Sequence, residues 1–200
     1  GIRLEDLRRT TELLLLAGAG IHELNAVRKH LTLLAGGGLA ALARGPVVSL
    51  IVSDVPGDRL DSISSGPTAP DPTTYADAWE ALAARGLIAR IPPRVAGRLQ
   101  AGLRGELPET RKRDDPAFAR AHNLIVASNR DALDAAQAAA EERGWVVERW
   151  PGPLTGEARE AGARFARELL ARPAPAGKPF CLLAGGETTV AVRGRGRGGR

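Results

Sequence analysis

The sequence contains no methionine and one cysteine, Cys181, in 200 residues. A lone cysteine cannot close an internal disulfide, which fits a reducing, cytoplasmic setting. With no Met and a chain that opens on Gly1, the sequence reads as an internal piece of a longer frame, stopping at Arg200 inside a Gly/Arg run. Aromatics are scarce, at 4%, so the core has to be built from Ala, Leu and Val. The longest apolar stretch, around Leu13–Ile21, is about half a membrane span and is broken by small residues. No basic, apolar and small-residue signal segment opens the chain. What is present, 44% hydrophobic and 26% charged residues, is close to a globular average and excludes disorder throughout. The length suits one domain, or one domain and part of a second.

Lysine is also scarce, with 3 against 25 arginines, a bias of base composition rather than of function. Four of those arginines (Arg193, Arg195, Arg197 and Arg200) lie in the last eight residues and carry four of the five net positive charges. The body of the chain is therefore nearly neutral, and its basic balance is no argument for a nucleic-acid partner.

Apolar positions at Leu4, Leu7, Leu14 and Leu15 predict a helix over Leu4–Leu16, with Glu5 and Asp6 in its first turn. Leu24, Val27, Leu31 and Leu34 form one stripe and predict a second helix over Ile21–Leu34. His22, Asn25, Lys29 and Thr32 fall nearly opposite, as a solvated face or as a polar face turned toward a site. A short helix over Leu39–Ala43 follows the Gly36-Gly37-Gly38 break. Val47–Val55 reads as a strand buried on both faces of a parallel sheet. A long polar loop from Pro56 to Thr73 separates it from helices near Thr74–Arg85 and Arg94–Gly102. Strands are then expected at Asn123–Ala127, Trp145–Trp150, Phe180–Ala184 and Thr188–Val192. Helices are expected at Asn129–Arg143 and at Thr155–Ala171, the latter with Thr155 as N-cap. Strands separated by helices argue for an α/β fold with a mainly parallel sheet. Pro173–Gly177 reads as a linker, giving one domain over residues 1–172 and the beginning of a second over 173–200.

Several strings carry chemistry. SDVPGD (Ser53–Asp58) sits where a strand ends, the place where open α/β sheets gather ligands. Asp54 and Asp58 could hold Mg²⁺ or accept a proton from a substrate hydroxyl, or simply close an Asx-turn. SSGPT (Ser64–Thr68) offers small hydroxyls and backbone N–H groups as a nest for phosphate or carboxylate. GGETTV (Gly185–Val190) reads as strand, turn and strand with Glu187 at the bend, or as a plain hairpin. GRGRGGR (Gly194–Arg200) fits a dinucleotide fingerprint, an Arg/Gly nucleic-acid tail, or a loop embracing phosphates. His30 and His122 read as structural histidines, and Cys181 as a small buried hydrophobe.

ELNAVRKHL (Glu23–Leu31), GGGLA (Gly36–Ala40), SDVPGD, SGPTAPDPTT (Ser65–Thr74), ET-K (Glu109–Lys112), TGEAR (Thr155–Arg159) and the terminal GGETTVAVRGRGRGGR run in one order along the chain. Together they resemble the glycerate 2-kinases that carry a C-terminal MOFRL domain, some of which have been called hydroxypyruvate reductases. The resemblance implies a Rossmann-like, mainly parallel sheet with flanking helices and the start of a second α/β (MOFRL) domain. It implies transfer of the ATP γ-phosphoryl group to the 2-hydroxyl of D-glycerate with Mg²⁺, and no nucleic-acid or membrane partner. Arg200 matches a proposed active-site arginine of that family. Asp54 and Lys29 are then candidate catalytic groups with Arg200, and Asp54 and Asp58 are candidate Mg²⁺ ligands. Arg28, Ser65, Gly66, Thr68, Gly185, Gly186, Glu187, Gly196, Gly198 and Gly199 are candidate substrate or phosphate contacts. Ala35 stands where similar sequences place Lys, Arg59 where they place Asp, and Arg111 where they place Pro. Two other activities fit parts of the sequence: nicotinamide-dependent reduction of hydroxypyruvate, from the Gly194–Gly199 pattern, and RNA binding by the Arg/Gly tail.

Overall fold

A computed structural model describes residues 1–172 and 177–190. The domain boundary expected at 173 with residues 173–176 of the expected linker, the last residues of the strand expected at Thr188–Val192, and the Gly/Arg run with Gly196, Gly198, Gly199 and Arg200 all lie outside the described residues. The chain divides into two units, residues 1–51 with 59–124, and residues 52–58 with 125–200.

The first unit is mainly helical: α1 (Leu4–Leu16), α2 (Ile21–Leu31), α3 (Gly38–Leu42), α4 (Tyr75–Ala83) and α5 (Pro93–Leu103). The starts of α1, α2, α4 and α5 have local causes. Asp6 accepts the Arg3 N–H and Glu23 accepts the Gly20 N–H, satisfying amides that a helix leaves open. Thr74 and Asp77 cap α4 reciprocally, and Pro93 opens α5, where no N–H is missed. Leu13 and Leu14 of α1, Leu24, Val27 and Leu31 of α2, Ala78 and Leu82 of α4, and Val95 and Leu99 of α5 bury together as the core. α2 stops at Leu31, three residues short of expectation, because Thr32 turns to an extended conformation (φ −119°, ψ 159°). Leu34 leaves the stripe and is exposed.

Strand β1 (Val47–Ser53) pairs with β2 (Ala121–Ser128). The expectation that β1 is buried on both faces is corrected. Its exposure alternates, with Val48, Leu50 and Val52 at 61, 69 and 72%, because nothing among the described residues covers that face.

In the second unit α6 (Asn129–Glu142), β3 (Val146–Arg149), α7 (Ala158–Ala171) and β4 (Phe180–Leu183) follow the α/β alternation. β3 and β4 run parallel, from Val146 opposite Phe180 to Arg149 opposite Leu183. Two local expectations fail here. Glu157, not Thr155, caps α7, its carboxylate accepting the Arg159 and Glu160 N–H groups. Gly185–Thr189 does not fold back on β4 as a hairpin. Its backbone is taken up by the segment before α7: Leu154 N–H donates to Gly185 O, Thr189 N–H to Gly156 O, and Ala158 N–H to Thr189 O. The class expected from the sequence, α/β with parallel strands and flanking helices, is borne out.

Candidate functional site

The residues singled out by sequence fall into two groups, one within each unit. In the second unit Asp54, Asp58, Gly185 and Gly186 line one cavity of about 610 Å³, together with Ser128–Arg130, Arg149 and Trp150. Every one of these follows or ends a strand: Asp54 after β1, Ser128 at the end of β2, Trp150 after β3, and Gly185 soon after β4. This is the carboxyl edge at which α/β sheets present ligands. α6 begins there, its first amides unpaired within the helix by geometry. Ser128 accepts the Asp131 N–H at 3.3 Å, and its hydroxyl donates to the Asp131 carboxylate at 2.6 Å, which holds that carboxyl below the usual range. The Asp58 N–H donates to Val55 O in a turn that places Asp58 at φ 52°, a conformation rare outside glycine.

Gly185 is a glycine for a contact reason. A Cβ there would lie 2.3 Å from the Asn129 side-chain amide atoms, and one on Gly186 2.4 Å from Leu154 O. Both leave backbone bare at the cavity wall. Arg149 is tied to α6, donating to Gln137 and Asp134 at 2.6 Å each. Trp150 packs on Phe165 with centroids 5.7 Å apart, and the Arg164 guanidinium lies 5.9 Å from its ring centre. Glu187 is exposed and is not part of this lining. Arg130, Arg149 and Trp150 were not anticipated. Their only sequence signal is their place at strand ends and at a helix start.

In the first unit the polar face of α2 turns inward. Asn25 and Lys29 are buried, while Arg28 is exposed. Arg28 lines a cavity of about 630 Å³ with Ala35, Ser64, Ser65, Pro67 and Arg98. Ser64, Ser65 and Gly66 are all left-handed (φ 51°, 63° and 61°). Of the donors expected to form an anion nest, those of Ser65 and the Gly66 amide are already committed. Ser65 N–H and Gly66 N–H donate to Ser62 O and Ile63 O, and the Ser65 hydroxyl donates to Asn25 Oδ1 at 3.0 Å. The carbonyls of Ser65 and Gly66 in turn accept Gly36 and Gly37 N–H. Thr68 is buried as well, donating to Asn123 Oδ1 and meeting Ser49 Oγ at 3.0 Å.

The Lys29 ammonium donates to Asp71 Oδ1 at 3.1 Å and lies 3.8 Å from Asp61 Oδ2. Burial works to raise both carboxyls, but their partners outweigh it. The Thr73 amide and hydroxyl and the Lys29 charge hold Asp71 below the usual carboxylate range, and the Arg59 guanidinium with Lys29 does the same for Asp61. Asp61 and Asp71, 32 and 42 residues from Lys29 in sequence, were not foreseen as its partners. His30 is structural, as expected: Nδ1 meets Ala26 O at 2.7 Å and Nε2 meets Glu109 Oε2 at 3.0 Å. Among the described residues no group of three or more His, Cys, Asp or Glu could hold a metal ion, and no helix is long and apolar enough to cross a membrane.

Parallel strands, flanking helices and a cavity at their carboxyl edge define an α/β protein with a candidate ligand site at its strand ends. The chain belongs to the family described as Domain of unknown function (DUF4147), whose model matches residues 1–100. It is 43% identical over 199 residues to the Glycerate 2-kinase of Pyrococcus horikoshii, an alignment covering 98% of this chain and 44% of that protein. It is 37% identical over 204 residues to the D-glycerate 2-kinase of Thermotoga maritima, covering 100% of this chain and 46% of the relative. The crystal structure of glycerate kinase from Thermotoga maritima superposes with a TM-score of 0.73 at 35% identity, covering 99% of this chain and 46% of that one. The resemblance drawn from the motifs therefore holds along the whole chain, which spans just under half the length of these relatives.

Proposed function

We propose that this chain contributes to a glycerate 2-kinase, which moves the γ-phosphoryl group of ATP to the 2-hydroxyl of D-glycerate with Mg²⁺. The observation that carries this reading is the gathering of Asp54, Asp58, Gly185 and Gly186 around one cavity at the strand ends, in a chain similar to proteins named glycerate kinase. Two carboxylates without a third protein ligand suit Mg²⁺, which is usually held by one or two carboxylates, phosphate oxygens and water. Asp54 and Asp58 would hold it. When bound, the ion neutralises charge on the phosphates.

Phosphoryl transfer asks the protein mainly for position and for positive potential where charge develops. Asp54 would accept the proton of the glycerate hydroxyl through the carboxylate oxygen that the ion leaves free, or Asp58 alone would hold the ion. The bare backbone at Gly185 and Gly186 and the first amides of α6 approach phosphate oxygens, as helix N-termini do. Within the first unit Arg28 supplies an anion contact beside Ser65 and Gly66, and Thr68 holds their loop to the strands. Lys29 serves by organising Asp61 and Asp71. Arg200, Gly196, Gly198 and Gly199 join as phosphate contacts on the family resemblance, and Glu187 as a contact to the substrate's hydroxyl groups, which a carboxylate can accept from.

The test is ADP release by the natural gene product with Mg²⁺ and ATP, with and without D-glycerate. Glycerate-dependent release is expected, and Asp54→Asn should lower kcat by about 10²–10³-fold while leaving the melting temperature in place. Wild-type turnover in that variant sinks the assignment of Asp54. Oxidation of NAD(P)H on adding hydroxypyruvate, without ADP release, would replace the kinase by the reductase.

A further inference from the structure

Of the buried titratable groups outside the proposed chemistry, His30 is the most tightly specified. Its side chain is fully buried in the last turn of α2. Nδ1 lies 2.7 Å from the Ala26 carbonyl oxygen, and a carbonyl can only accept, so that nitrogen carries a proton. Nε2 lies 3.0 Å from Glu109 Oε2. The Glu109 carboxylate is addressed by donors elsewhere: its Oε1 accepts the Tyr75 N–H at the start of α4, and the Lys112 ammonium is 3.6 Å from Oε2. A neutral imidazole has one N–H, already used at Ala26. Without a second proton, the lone pairs of Nε2 and Oε2 would face each other at hydrogen-bond distance, and Nε2, on a fully buried ring, would be left unsatisfied while the half-exposed Glu109 carboxylate still has water and Lys112.

We propose that the His30–Glu109 contact holds a proton and works as an ion pair, making His30 a positioning residue for the segment Glu109–Arg111. The consequence follows from what that segment touches. Arg111 N–H donates to Gly36 O at 3.0 Å, and Arg111 O accepts the Asp71 N–H at 2.9 Å. Asp71 is the carboxylate that receives Lys29. His30 thus fixes, through Glu109, both the glycine turn after α2 and the counter-ion of its neighbour Lys29. The other charged groups around the ring are consistent with a cation held there. Arg98 donates to the backbone oxygen of His30 at 2.6 Å, the Tyr75 ring centre lies 4.6 Å from that of the imidazole, and Asp77, held below the usual carboxylate range chiefly by Thr74, also interacts favourably with a His30 cation. The inference rests on the kinase reading only in taking α2 as part of the site. It is tested without substrate, so either can fail alone.

The experiment is nitrogen NMR of the chain labelled at histidine, at neutral pH, with amide exchange on the same samples. Both ring nitrogens of His30 are expected to carry protons. In Glu109→Gln, whose amide can donate to a bare Nε2, the second ring proton is expected to be lost while the fold is kept. In Glu109→Ala, exchange at Asp71, Arg111 and Tyr75 should accelerate by about tenfold, the equivalent of one lost hydrogen bond, with Leu13 and Leu14 unchanged. A bare Nε2 in the wild-type protein overturns the proton. Unchanged exchange at Asp71 and Arg111 in folded Glu109→Ala overturns the positioning role. Should the alanine variant fail to fold, the loss or retention of the second proton in Glu109→Gln still decides whether the contact is an ion pair.

Discussion

At the scale of single residues, the most consequential placement is that of Lys29. A long cationic side chain on a helix is usually solvated, yet this one is 2% exposed, held by Asp71 and Asp61. Taking two charges out of water is tolerable only while both are present. Lys29→Met is therefore expected to cost about 3–5 kcal/mol, because it strands Asp71 without its counter-ion. Lys29→Met combined with Asp71→Asn should recover part of that loss, read by urea denaturation. The pH dependence has a definite sign. Both carboxyls lie below the usual range in the folded chain and return to about 3.9 on unfolding. Their contribution is complete above that value and is lost as pH falls through the lowered folded values. Acid unfolding below about pH 4 should become shallower in Asp71→Asn, and an unchanged acid limb would remove the pair from the stability account.

At the scale of elements, α5 shows how one helix can ask opposite things of two glycines. Gly102 packs where a Cβ would lie 2.2 Å from the Tyr75 ring, so the close approach of α5 to α4 depends on its bareness. Gly97, in the same helix, has nothing within 4 Å of that position and no positive φ. Gly102→Ala should destabilise by about 1–3 kcal/mol through overpacking. Gly97→Ala should stabilise by about 0.4–1 kcal/mol, chiefly by restricting the unfolded chain. Thermal melts of the two variants check the pair, and shifts of the same sign would contradict the packing. Helices such as α1 and the helical run of α6 were legible because periodicity and capping are local signals. The run at Val47–Val55 was legible as a strand but not as a half-exposed one, since a continuous apolar run does not say how many faces are covered. Turn chemistry misled at Gly185-Gly186: a Gly-Gly pair between apolar runs suits a hairpin, whereas these glycines are there to let Asn129 and Leu154 come close. In the candidate site, Asp54 and Asp58 were legible from their place after a strand. Asn25 and Lys29 were legible only as a polar face, because their partners Ser65, Asp61 and Asp71 lie at separations that no spacing rule reaches.

At the scale of the whole molecule, the two units differ in how much they bury. The core of the first unit draws on α1, α2, α4 and α5, with Leu14, Val27, Leu82, Val95 and Leu99 wholly inside. Among the described residues of the second unit, α6 buries none of its side chains and α7 buries only Ala161. Burial of apolar area is the main favourable term in folding, so the second unit should be the less stable. Its opening should then be separable from that of the first. The three tryptophans divide usefully, with Trp79 in α4 against the first core and Trp145 and Trp150 in the second unit. With Trp145 and Trp150 changed to Phe, fluorescence reports the first unit; with Trp79→Phe it reports the second. A stability gap of about 2 kcal/mol at ordinary urea slopes places the two midpoints roughly 1 M apart, the second unit lower. Coincident midpoints would mean that the units unfold together. Ligand affinity would then draw on the stability of the whole chain, whereas separate midpoints imply that nucleotide and Mg²⁺, if bound at the strand-end cavity, raise only the lower transition, because a ligand stabilises the unit that binds it.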